Sequence, residues 1–267
     1  MLGDIVGRAG RQAVAQQIPV IRARWKPDLV IANAENATRG SGLSPDHYQK
    51  LCASGVDGLT LGDHVYRRVQ IVATLERELN IIRPANLPAL AKGRRWMQLQ
   101  APDTSKPPVF VLTVLGRIFT NLPANDPFST VTEVLSQLPR RDPLVLVEAH
   151  AEATSEKQAL GRFLDGRAAA VIGTHTHVPT ADACIFPGGT AFISDIGMCG
   201  PHESILGRRI DAVVKHMTSS MPIPFEVAEG DPRVNGVFLE IDPSSRRALS
   251  IERIELAADP RRPPFVA

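Results

Sequence analysis

The sequence predicts an α/β fold, and two observations carry that expectation. Through the first two thirds of the chain, apolar runs rich in β-branched residues alternate with amphipathic stretches of helical length, the pattern of strands and helices taking turns across a sheet. After Thr190 this gives way to short strands with one intervening helix, so a mixed or second sheet is expected there.

The elements follow in order. Strands are predicted at 28–32 (DLVIA), 56–61 (VDGLTL), 109–115 (VFVLTVL), 144–147 (LVLV) and 168–172 (AAAVI), the short apolar runs of buried strands. Helices are predicted near 9–24, 45–54, 66–79, 127–138 and 155–164, the last opened by a capping box of Ser155 and Gln158. Further strands are predicted at 191–194, 225–228, 237–241 and 249–254, with a helix near 207–217. No repeat or linker divides residues 1–258, which are expected to form a single domain, and the Pro- and Arg-rich residues 259–267 (DPRRPPFVA) to form a loose tail.

Composition excludes several classes. The 267 residues are 43% apolar and 22% charged, enough to bury a full core, which rules out fibrous and disordered chains. No run approaches the roughly 18 apolar residues of a membrane span, and no basic-then-apolar leader opens the chain, so a cytoplasmic location without membrane partners is expected. Cys52, Cys184 and Cys199 form neither a disulfide framework nor a C-x-x-C pair and are expected to be reduced, buried thiols. Thirty basic against 28 acidic residues leave +2, and the Arg pairs are scattered, so no dedicated nucleic-acid groove is evident. The G-x-G-x-x-G, P-loop and G-x-S-x-G signatures are absent.

The informative residues are those that close the predicted strands. Asp4 follows Leu2-Gly3, Glu35-Asn36 follow the second strand, Asp63-His64 follow the third, His150 follows LVLVEA, and His175 and His177 follow AAAVIGT. Side chains just beyond the carboxyl ends of parallel strands converge on one crevice, so these residues are expected to cluster. If strand geometry continues through Thr174, a period of two turns both imidazoles to one side. Carboxylate, amide and imidazole donors without thiolate suit divalent ions such as Fe, Mn or Zn better than a soft metal, without choosing among them. Their number exceeds what one ion takes from protein, and two ions that share a hydroxide nucleophile perform phosphoryl-transfer hydrolysis. Arg39, Arg83, Arg117 and His202 are secondary candidates for the pocket wall.

The order Gly3-Asp4, Glu35-Asn36, Gly62-Asp63-His64, His150 and GTHTH (173–177) resembles the calcineurin-like metallophosphoesterases. AENA (34–37), RPANLP (83–88), HAEATSEK (150–157), DGRA (165–168), GTHTHVPTAD and SDIGMCG (194–200) are similar to its YmdB-like phosphodiesterase branch. The resemblance runs nearly end to end. It implies two mixed β-sheets in a sandwich flanked by helices, four layers in the order αββα, with a dinuclear centre at the strand ends. Carried over, Asp4 and His177 hold one ion with Asn36 beside it, Glu35 bridges, and Asp63, His150 and His175 hold the second. His64 becomes the general acid that protonates the leaving oxygen. The implied activity is phosphodiester hydrolysis, 2′,3′-cyclic nucleotides included, by a metal-dependent phosphodiesterase. The expected partner is a small phosphodiester; a homo-oligomer is compatible with the sequence, which marks no interface for one.

Two departures stand out. The family pattern has Asn where this chain has Asp63; three carboxylates against two divalent ions leave +1, where Asn leaves +2, so metal is held more tightly and an anionic substrate attracted less. Only Met1 and Leu2 precede Gly3-Asp4, whereas strands run about five residues, so the first strand reads as clipped: either the start is set too late, or the strand is short and Asp4 less firmly placed. Two rival readings remain at this point: a phosphomonoesterase with the same centre, and a metal-binding regulatory protein with little turnover.

Overall fold

A computed structural model describes residues 1–120, 122–139 and 142–259. In chain order its elements are β1 (Asp4–Ile5), α1 (Gly7–Trp25), β2 (Ile31–Asn33), α2 (Pro45–Ala53), β3 (Gly58–Thr60), α3 (Ile71–Arg77), β4 (Ile81–Ile82), β5 (Trp96–Leu99), β6 (Val109–Leu115) and α4 (Pro127–Gln137). They continue with β7 (Leu144–His150), α5 (Thr154–Phe163), β8 (Ala170–Thr174), β9 (Cys184–Ile185), β10 (Ala191–Ile193), β11 (Met198–Pro201), α6 (Ile210–Ser219), β12 (Pro232–Ile241) and β13 (Ala248–Ala257).

The strands make two mixed sheets. One runs β5-β6-β7-β8-β10-β9, parallel from β6 to β10 with antiparallel edges. The other joins β4-β3-β2 to β1-β11-β12-β13 through Leu2, which bridges Ala32 on one side and Gly236 on the other. Alternation along the strands builds three apolar layers. On β7, Val145 and Val147 face α4 and α5 with Val131, Val134 and Leu160, whereas Leu144 and Leu146 face the opposite sheet with Ile31 and Val237. That second sheet's outer face packs on α1, α2 and α3 through Val14, Ile18, Leu51 and Leu75. The result is helix, sheet, sheet, helix, as the resemblance implies.

Every predicted helix is present, with shifted ends. The segment expected to be a strand at 225–228 is not one: Val227 makes a single bridge to Arg208. Ser155 does not cap α5, which starts at Thr154 behind Ala153 and has no side-chain cap; Pro45 and Pro127 do follow side-chain caps, Ser44 and Asp126. Of the three thiols only Cys199 is buried; Cys52 is half-buried and Cys184 exposed. Asp259, the first residue of the expected tail, exchanges backbone hydrogen bonds with the Gln16 side chain, and residues 260–267 lie outside the described residues. Among the described residues no helix is long and apolar enough to cross a membrane.

Candidate metal centre

Both sheets aim their carboxyl ends at one crevice. Glu35 enters on the turn after β2, where its backbone N donates to Asn33 Oδ1 at 3.0 Å. Asp63 enters after β3, His150 ends β7, and His175 follows β8. Glu35, Asp63, His150 and His175 each offer a ligand atom, all within 4.8 Å of one another. His150 Nε2 lies 3.1 Å from Asp63 Oδ1 and 3.4 Å from Glu35 Oε2, and His175 Nδ1 lies 3.1 Å from His150 Nε2. Gly62 makes the approach possible: a Cβ there would sit 2.2 Å from both Glu35 Oε2 and His150 Nε2.

The remaining predicted residues surround this group. Asn36 Nδ2 is 3.1 Å from Glu35 Oε1 and 3.2 Å from His177 Nε2, and Asn36 Oδ1 is 2.8 Å from His64 Nδ1. His64 stands at the rim with Nε2 3.6 Å from Asp63 Oδ2. Asp4 Oδ2 accepts from the His175 backbone N at 3.1 Å. Its Oδ1 is buried with no hydrogen-bond partner among the described residues; buried oxygens are almost always paired, and an acceptor-only oxygen beside carboxylates and imidazoles fits a cation. The expectation that strand geometry carries through Thr174 to His177 is not met. His175 and His177 have φ of +93° and +66°, and it is this left-handed turn, not a period of two, that presents His175 to His150 and His177 to Asn36.

A supporting layer orients the imidazoles. His150 Nδ1 lies 2.9 Å from Thr174 Oγ1, whose hydroxyl donates to Glu148 Oε1 at 2.7 Å; Asn33 Nδ2 and Thr113 Oγ1 also donate to Glu148. A proton on Nδ1 leaves Nε2 free to ligate. His177 Nδ1 is 3.1 Å from the Leu206 carbonyl, which likewise leaves Nε2 to the site. His175 Nε2 lies 3.2 Å from Glu152 Oε2, turning Nδ1 inward. Glu148 and Glu152 were not among the candidates; a carboxylate inside the apolar run LVLVEAH was the signal for Glu148, because a buried charge demands partners.

Charge is crowded here. Burial, with Glu35, Asp195 and Glu148 nearby and only His150 opposing, pushes the Asp4 carboxyl up to about 8. Burial would also raise Glu35 and Asp63, but the charge and hydrogen bonds of His150 hold both below the ordinary range, with a further hydrogen bond from His175 at Asp63. Burial depresses His177, which favours the neutral, ligating imidazole. Of the secondary candidates, Arg83 is buried against the Ala91 and Pro84 carbonyls, Arg39 and Arg117 are exposed, and His202 is bound to Gly200 O and Asn235.

Fold and cluster together define an α/β sandwich of the metallophosphoesterase type with a metal-ligand group at its strand ends. A crystal structure of a novel phosphatase from Mycoplasma pneumoniae superposes with TM-score 0.89 at 34% identity, covering 96% of this chain and 92% of that one. The chain belongs to the YmdB-like protein family, matched over residues 1–254. It is 40% identical over 258 residues to the 2′,3′-cyclic-nucleotide 2′-phosphodiesterase of Bacillus subtilis (strain 168), covering 97% of this chain and 96% of that protein. It is 35% identical over 267 residues to a Mycoplasma genitalium protein named as a candidate phosphatase/phosphodiesterase, at 97% and 92% coverage. A hypothetical protein from Thermus thermophilus has a crystal structure with TM-score 0.89 at 39% identity, at 97% and 98% coverage.

Proposed function

We propose that this protein is a dinuclear metal-dependent phosphodiesterase acting on small phosphodiesters, 2′,3′-cyclic nucleotides foremost, in the cytoplasm. The observation that carries the reading is the convergence of Glu35, Asp63, His150 and His175 within 4.8 Å from four separate segments, beside a buried Asp4 oxygen with no partner among the described residues. Asp4, Asn36 and His177 would hold one ion, Asp63, His150 and His175 the other, and Glu35, whose two oxygens face His150 and Asn36, would bridge. Fe or Mn suits this nitrogen and oxygen donor set, with Zn a third choice. When bound, such ions neutralise charge on phosphoryl oxygens and acidify water.

The chain's own residues do the rest. Asn36 Oδ1 accepts from His64 Nδ1–H and leaves Nε2 to hold a proton at the rim. As the oxygen of a water molecule adds to phosphorus and the P–O bond of the cyclic diester breaks, His64 Nε2 gives that proton to the departing ribose oxygen; the proton the water loses passes to the bulk, which reprotonates His64 before the next turnover. Glu148, through Thr174, keeps the His150 tautomer fixed.

The test is hydrolysis of 2′,3′-cyclic AMP by purified protein loaded with Mn or Fe, beside His64→Ala prepared identically. Metal-dependent turnover that His64→Ala loses supports the reading; equal turnover by the variant removes His64 from its role. A phosphate monoester assayed in parallel decides the second substrate class, which the name of the Mycoplasma relative keeps in view. Metal binding without hydrolysis of either ester points to a regulatory protein.

A further inference from the structure

The 175–177 turn brings two imidazoles to the site through backbone that side chains rarely adopt and that persists only where its surroundings hold it. Asp195, only 1% exposed, is what holds it. Asp195 Oδ2 accepts from the Thr176 backbone N at 3.0 Å and from Thr176 Oγ1 at 2.9 Å, and Oδ1 accepts from Gly197 N at 2.8 Å. The Asp195 main chain meets the other end of the loop, its carbonyl accepting from Thr180 N and its N donating to Thr180 Oγ1. The same Oδ2 takes a third donor, Lys157 Nζ at 2.8 Å.

Lys157 is fully buried, with 0% exposure. Lysine is almost never found so unless paired, and the hydrolytic chemistry above needs no lysine. It reaches inward from α5, and its Cδ lies 3.0 Å from where a Gly173 side chain would start; that same Cβ would fall 1.7 Å from the Ser194 carbonyl. Gly173 thus lets the lysine arm and residue 194 close up behind the turn.

We propose that Lys157 and Asp195 are positioning residues: their ion pair keeps an anion beneath Thr176, and that anion fixes His175 and His177 in ligating geometry. A contribution to stability alone would not require this placement, since apolar residues of similar volume replace buried ion pairs with little loss. Three donors on one oxygen do require a carboxylate: an amide in its place loses the charge that Lys157 needs and gains donors with nothing to receive them. The inference rests on the metal-centre reading above.

The test compares Mn(II) binding by calorimetry, and the visible spectrum of the Co(II)-loaded protein, for the parent, Lys157→Met, Thr176→Val and Val134→Ala. Val134 lies in the core between α4 and the sheet and supplies a control for lost core packing away from the 175–177 turn. We expect Lys157→Met and Thr176→Val each to lose at least about tenfold in Mn(II) affinity and to alter the Co(II) spectrum, while Val134→Ala keeps both. Affinities within twofold of Val134→Ala overturn the proposal. If Lys157→Met does not fold, Thr176→Val, which removes one hydroxyl, decides alone. A parent that binds Mn(II) but hydrolyses no phosphodiester overturns the proposed activity and leaves this inference standing; a parent that binds no Mn(II) overturns both.

Discussion

Gly62→Ala is the sharpest perturbation the structure offers. Gly62 does not adopt a left-handed φ, so an alanine fits the backbone and only its methyl matters. That methyl falls 2.2 Å from Glu35 Oε2 and from His150 Nε2, against the 3.4 Å at which ordinary contact begins, so about 1.2 Å must be recovered at each. Glu35 and His150 are 1% and 2% exposed and cannot swing away. Overpacking of this size costs about 1–3 kcal/mol of stability, a fall in Tm of a few degrees. A displacement near 1 Å at reacting groups costs about 100-fold in rate. Metal content and kcat/KM on 2′,3′-cyclic AMP, measured with Tm, form the assay. The expected result is a folded protein with about 100-fold lower kcat/KM and reduced metal content. If both stay within threefold of the parent, Glu35 and His150 do not form the working centre, and the argument from their convergence fails.

Three further outcomes follow from the same geometry. Asp63→Asn restores one positive charge to the site and is expected to raise turnover several-fold while weakening metal retention; a slower variant refutes the charge argument. Glu148→Gln leaves Asn33, Thr113 and Thr174 with a single carbonyl acceptor and is expected to lower metal affinity by about 10- to 100-fold, read by chelator competition; unchanged affinity shows that Thr174 alone orients His150. In chelator-treated protein the folded state keeps a proton on Asp4 that the unfolded chain has released, so this group's stability is intact below about pH 4 and is lost as pH rises through about 8. Urea midpoints of the parent minus those of Asp4→Asn are expected to fall across that window, and a flat difference refutes the raised carboxyl.

Most of the candidate site was legible because its residues close apolar runs, where a polar side chain has a position and little other reason to be there. Glu35, Asp63 and His150 needed only the strand pattern to be found. The turn at His175–His177 could not be read in the same way, since nothing in G-T-H-T-H distinguishes an extended segment from a left-handed one; the conformation is imposed by Asp195 and Lys157, which lie 19 and 38 residues from their contacts. The short strands β4, β5, β9 and β11 escaped prediction because two to four residues carry no measurable period. At 225–228 the apolar pattern promised a strand, but Val227 finds only one bridging residue to pair with. The capping box at Ser155 failed by a single position, Thr154 having already entered the helix.

The hydrogen bond from Asn33 to Glu148 crosses from one sheet to the other between residues 115 apart in sequence, and the proposed ligand set divides along the same line. Asp4, Glu35 and Asp63 come from one sheet; His150, His175 and His177 come from the other. Either sheet alone therefore presents only part of the candidate set, the three acids with Asn36 on one and the three imidazoles on the other. The whole set is assembled only where the two sheets dock. An ion that needed both sheets would stabilise the native state more than a transition state in which they had not docked, and would lengthen the lifetime of the folded protein more than it changed the speed of folding.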